Sequence, residues 1–122
     1  MLSTPRRILI VDDHGDTADT TSELLRMEGH EVRVAYDGLT AIEVAKHFHP
    51  ERVLLDVGMP GLDGYAFARA LRALQEWEPM RLVAVTGWAR AEDKDAAIGA
   101  GFDLHLAKPI VLEELQAALE LD

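Results

Sequence analysis

Along this chain, short apolar runs alternate with longer segments in which apolar residues recur every three or four positions. The short runs are Ile8 to Val11, Glu31 to Ala35, Val53 to Leu55, Leu82 to Val85 and Leu104 to Ala107. Four of the five are nearly continuous in apolar residues, as expected of parallel strands covered on both faces. The second, "EVRVA", alternates instead, which predicts an edge strand with Arg33 facing water. The intervening segments read as helices. The first spans about Asp16 to Glu28, with Ala18, Leu24 and Leu25 inward and Gly29 as its stop. The second, about Leu39 to Phe48, carries Ala41, Ile42, Ala45 and Phe48 on one stripe and ends before Pro50. A third, about Gly64 to Gln75, has Phe67, Leu71 and Leu74 at helical spacing. A fourth, around Ala91 to Ala100, has Ile98 as its only large apolar residue. The last, about Val111 to Leu121, presents Val111, Leu112, Leu115, Ala118 and Leu119. Five strand–helix beats predict an open α/β sheet with helices on both faces.

Such sheets bind ligands at the carboxyl ends of their strands. The residues that follow the apolar runs are therefore informative. Asp12 and Asp13 follow Val11, Asp56 follows Leu55, Thr86 follows Val85, and Lys108 follows Ala107. Singly, each has an ordinary reading: turn or capping aspartates, a strand-end threonine, a solvent-facing lysine. Parallel strands bring all of them to one rim. Three clustered carboxylates repel one another unless neutralised, and Mg²⁺ with retained waters is the usual oxygen-ligand solution. A site half-filled by carboxylates leaves room for phosphoryl oxygens, with Lys108 as countercharge and Thr86 as hydrogen-bond donor. An aspartate can attack phosphorus to give an acyl phosphate. The constellation reads as a metal-assisted aspartyl-phosphate site.

Composition narrows the class. The chain has 122 residues, enough for one domain with its own core, and is 48% hydrophobic and 28% charged. No run is long and apolar enough to span a bilayer, and "MLSTPRR" lacks the apolar core of a secretion signal. With no cysteine there are no disulfides or thiolate metal sites, and cytoplasm is the expected location. Twelve Lys and Arg against 22 Asp and Glu give a net charge of -10, which repels nucleic-acid backbones. We expect neither a nucleic-acid nor a membrane partner.

The segments "ILIVDD", "LLDVGMPGLDGY", "AVTG" and "LAKPI", in this order and spacing, resemble the receiver domain of two-component response regulators. The likeness runs from about Arg7 to Leu121 and is closest to single-domain, chemotaxis-regulator-like members. It implies one receiver domain over residues 1–122, folded as a flavodoxin-like, doubly wound (βα)5 unit with strand order 2-1-3-4-5. Asp56 would be the phosphoacceptor, served by a sensor histidine kinase, a histidine phosphotransfer protein or a small phosphodonor. Asp13 and Asp56 would ligate Mg²⁺ directly, Asp12 mainly through water, and the backbone carbonyl of Gly58 would complete the protein's share. Thr86 would move toward the new phosphoryl oxygens and Lys108 would pair with them, entering through a cis Lys108–Pro109 bond. Pro60, Gly61 and Gly64 would shape the loop below the site. Phosphorylation would be self-catalysed at most, so no turnover enzyme is expected.

Some positions depart from the family's pattern. His105 stands where members usually carry Tyr or Phe, and reads as a half-exposed strand histidine. Gly58 and Trp88 lie two residues after Asp56 and Thr86, where side chains influence acyl-phosphate hydrolysis. His14 reads as a loop residue rather than a metal ligand, and His47 and His49 as surface residues. The last predicted helix ends the chain, so output is expected through contacts, chiefly the face of the fourth helix, fifth strand and fifth helix. The weakly apolar fourth helix suits an adjustable element. A complete single-domain regulator and a segment of a hybrid kinase both fit. Rival readings are a phosphorylation-independent docking module, a haloacid-dehalogenase-like phosphatase and a flavodoxin-like FMN binder. The phosphatase would want a second aspartate where Gly58 stands. The FMN binder would want a Ser/Thr/Gly-rich loop where "DDHGD" stands.

Overall fold

The computed structural model describes residues 5–57, 59, 63–74, 80–87 and 101–120. Five strands form one sheet: β1 (Arg7–Val11), β2 (Glu31–Ala35), β3 (Arg52–Asp56), β4 (Arg81–Thr86) and β5 (Leu104–Ala107). All neighbours pair in parallel, in the order β2-β1-β3-β4-β5. The helices are α1 (Gly15–Met27), α2 (Gly38–Phe48), α3 (Gly64–Leu74) and α4 (Leu112–Glu120). The helix predicted at 91–100, and with it Trp88, lies outside the described residues, as do Gly58, Pro60 and Gly61.

Strand periodicity divides the core into two halves. Successive side chains point to opposite faces, so Ile8 and Ile10 join one apolar cluster and Leu9 and Val11 the other. The Leu9 side also holds Val53, Leu55, Leu82 and Ala84, covered by Ala41 and Ala45 of α2 and Phe67 and Leu71 of α3. The Ile8 side holds Leu54, Val83 and Leu106, covered by Ala18 and Leu25 of α1 and Leu115, Ala118 and Leu119 of α4. Fully burying a side chain such as Leu9 or Leu82 stabilises by roughly 1.5–3 kcal/mol before entropy is counted. All five residues of β3 are buried, whereas β2 alternates as an edge strand should. Arg33 of β2 is exposed, its guanidinium 4.8 Å from the centroid of the Phe48 ring.

Helix ends follow local chemistry. The Asp37 carboxylate accepts from the Thr40 N–H at 2.7 Å and starts α2, and Asp63 accepts from the Ala66 N–H at 3.1 Å at the start of α3. Gly29, at φ +96°, ends the α1 turn while its N–H donates to the Arg26 carbonyl. Three residues predicted on apolar faces are exposed instead. Leu24 is 40% exposed because the buried stripe of α1 runs through Ala18, Ser22 and Leu25, about 100° of helical rotation away. Val111 precedes α4, its carbonyl accepting from the Leu115 N–H, and its side chain is exposed together with that of Leu112.

Candidate functional site

The parallel register carries β1, β3, β4 and β5 to a common rim. Asp12 follows β1, Asp56 and Thr86 end β3 and β4, and Lys108 follows β5. The backbone fixes each end. The Asp12 N–H donates to the Ala35 carbonyl, the Val57 N–H to that of Val85, and the Lys108 N–H to that of Thr86. Asp12, Asp56 and Thr86 are buried, while Asp13 and Lys108 keep access to solvent.

Asp56 is the most enclosed carboxylate of the rim, its side chain 2% exposed, and it accepts from Lys108 Nζ at 2.8 Å on Oδ2. The peptide bond that follows Lys108 is cis. Gly64 opens α3 directly behind this strand end, and a Cβ there would stand 3.1 Å from Val57 Cγ1 and 3.3 Å from its Cα. A side chain there would crowd the residue next to Asp56 unless Val57 gave way by a few tenths of an ångström.

Asp12, Asp13, His14 and Asp56 place one ligand-capable atom each within 4.8 Å of the others. The carboxylates among them, with Lys108 beside Asp56, form an oxygen donor set able to hold a divalent cation. His14 was expected in a loop. It does precede α1, but its ring turns back into the acids, with Nδ1 3.1 Å from Asp12 Oδ1, 3.2 Å from Asp13 Oδ1 and 3.6 Å from Asp56 Oδ2. The hydrogen bond to Asp12 and the charges of Asp13 and Asp12 raise its pKa above the usual histidine value. The only signal for this in the sequence was adjacency to the acidic pair. Asp12, Asp13, Asp56, Thr86 and Lys108 are thus brought to one rim, while Gly58 lies outside the described residues. His105 lies away from the acids on β5, with Nε2 shielded from solvent and without a hydrogen-bond partner.

A family model, the response regulator receiver domain, matches residues 8–120. The chain belongs to that family. The receiver is 37% identical over 117 residues to the transcriptional regulatory protein PrrA of Mycobacterium tuberculosis, covering 96% of this chain and 49% of PrrA. It therefore spans about half the length of the first curated relatives it matches. Its fold superposes on the Vibrio cholerae chemotaxis protein CheY4 with a TM-score of 0.88 and 28% identity, covering 95% of this chain and 97% of that one. A response regulator from Burkholderia pseudomallei, determined with a phosphorylated aspartic acid, calcium ion and citrate, gives 0.85 and 29%, covering 93% and 66%. The family places the receiver in two-component signalling, in which an aspartate is phosphorylated. No helix among the described residues is long and apolar enough to cross a membrane.

Proposed function

We propose that Asp56 accepts a phosphoryl group in a phosphorelay and that the receiver thereby switches its protein contacts. One observation carries this reading: a carboxylate almost closed to solvent, bonded to Lys108 at 2.8 Å, at a rim it shares with two further aspartates. The phosphorylated aspartate and calcium ion of the Burkholderia relative support it. A phosphohistidine of a sensor kinase or phosphotransfer protein, or a small acyl phosphate, is the donor. An Asp56 oxygen forms the new bond to phosphorus as the P–N or P–O bond of the donor breaks, and the leaving group departs with the electron pair.

Asp13 and Asp56 would hold Mg²⁺ directly, with Asp12 acting through water and the Gly58 carbonyl as a further ligand. When bound, Mg²⁺ neutralises the carboxylates and receives phosphoryl oxygens. Lys108 shifts its ion pair from the free carboxylate to the transferred group, and the Thr86 hydroxyl donates to it. The chain acts as phosphoacceptor, not as a turnover enzyme, and works in the cytoplasm. Its net charge of -10 suits protein partners rather than nucleic acid. Output passes through β5, α4 and the segment between β4 and β5, where His105 replaces the family's usual aromatic residue.

Incubation with acetyl phosphate tests this by intact mass. The expected result is a Mg²⁺-dependent gain of one phosphoryl group, absent in Asp56→Asn. No gain with this donor or with a phosphorylated phosphotransfer protein would leave a docking module in place of a phosphoacceptor.

A further inference from the structure

Helices α2 and α3 cover the Leu9 side of the sheet together and leave a groove between them on the outside. Its volume is about 620 Å³, inside the range of about 300–1,000 Å³ usual for binding clefts. Leu39 and Ile42 of α2, Ala66, Phe67 and Ala70 of α3, and Met59 supply its apolar lining. Phe67 and Met59 are buried, whereas Leu39 stands 85% exposed at the groove's edge. Ala66 and Ala70, one turn apart and both exposed, keep the α3 side low enough for another helix to approach closely. A large apolar side chain held in water beside such a groove gains by being covered.

Charge says what covers it. The charged side chains of the lining are Asp13, Asp37 and Asp63, and no lysine, arginine or histidine lines it among the described residues. Asp37 and Asp63 are exposed at the starts of α2 and α3. The Thr40 N–H and hydroxyl donate to Asp37 and hold its carboxyl below the usual carboxylate range, so it stays ionised. We propose that the groove between α2 and α3 docks a basic amphipathic helix of another protein, its apolar side chains against Leu39, Ile42 and Ala70 and its lysines or arginines facing Asp37 and Asp63. A helix laid in a groove between two helices is a common recognition mode, and opposite charge at its edge sets direction and partner. A second copy of this chain suits it less. Symmetric pairing would set the same carboxylates against each other, on two molecules each of net charge -10. The site stands apart from the phosphoacceptor reading, since Asp56 takes no part in it and only Asp13 is common to groove and rim.

The probe is a synthetic helical peptide of about 18 residues, or five turns, with leucines along one face and lysines elsewhere. A second peptide carries glutamates in place of the lysines. Each is titrated into isotope-labelled receiver without phosphodonor, and amide shifts report both place and affinity. The variants are Leu39→Ser, at an exposed position, and Asp37→Asn with Asp63→Asn, which removes both charges while Asn still caps the helices. We expect the lysine peptide to shift amides of α2 and α3, with affinity about tenfold weaker in Leu39→Ser and about threefold weaker in the double Asn variant. The glutamate peptide should give no localised shifts. Shifts on α1 and α4, shifts spread over the whole acidic surface, or none at millimolar peptide would each overturn the proposal. So would equal binding of the two peptides or unchanged affinity in Leu39→Ser. A doubling of mass in sedimentation that Leu39→Ser abolishes would assign the groove to a second copy instead.

Discussion

At the amino-terminal end of the sheet, charged side chains are matched within the fold; at the carboxyl end they are left in excess of one sign. Arg7, Arg52 and Arg81 open three of the strands. Arg7 donates to the His49 carbonyl at 2.9 Å and lies beside Glu51. Arg52, buried, donates to the Leu119 carbonyl at 3.1 Å and to that of Glu51 at 2.9 Å. Arg72 reaches the carbonyls of Gly101 and Met80 and the Asp103 carboxylate, which also takes the Leu82 N–H and pairs with Arg81. At the opposite rim Asp12, Asp13 and Asp56 face Lys108 and His14. The first arrangement closes on itself and contributes to stability. The second gathers acids in excess of the positive groups beside them, and under the proposed function a cation and a phosphoryl group complete it.

The comparison breaks most visibly at Arg52. Arg52→Met leaves the Leu119 carbonyl without its charged donor and loosens α4 from β3, and should destabilise by about 3 kcal/mol in urea unfolding. Phosphorylation of the folded variant should continue. A loss below about 0.5 kcal/mol would mean that the amino-terminal network is not what ties α4 down.

Mg²⁺ sharpens the other side. At about a hundred times its Kd it should stabilise the wild type by about 2.7 kcal/mol, and chelation should remove that gain. Asp13→Asn should fold as well as wild type in chelator yet gain little from Mg²⁺. Equal gains in both proteins would place the ion elsewhere.

A smaller effect comes from pH at the amino-terminal end. His30 is buried, with Nδ1 accepting from the Arg6 N–H at 3.1 Å, and burial, reinforced by the Arg6 charge, lowers its pKa from 6.5. The unfolded chain then takes up the proton more readily than the native one. This contribution to stability is complete above about pH 6.5 and is lost as pH falls toward the native pKa. His30→Gln should flatten the pH dependence of unfolding in that window, and an unchanged slope would assign it to other groups.

The sheet was legible because the strands buried on both faces must be written as apolar runs, and the rim because four of the five runs stop at an acid, a hydroxyl or an amine. Helical stripes were read less well at their margins, where Leu24 lies one position off the buried face of α1 and Val111 precedes α4. The amino-terminal network was missed altogether, since Arg52 and Leu119 are 67 residues apart and Arg72 and Asp103 are 31 apart. Only the finished fold brings such pairs together. His14 lies in the loop as expected, but the direction of its ring was not legible, because it depends on the turn into α1. His30 reads as an ordinary polar residue until the Arg6 backbone closes over it.

Of the three carboxylates at the rim, Asp56 is the one proposed to carry the phosphoryl group, because it is the most enclosed of them and the one held by Lys108. Borohydride reduction of the phosphorylated receiver, followed by peptide mapping, tests this most directly, since it converts an aspartyl phosphate to homoserine at its position. Homoserine at position 56 is the predicted result. Homoserine at position 12 or 13 would contradict it, because an acid that Lys108 does not hold would then be the nucleophile.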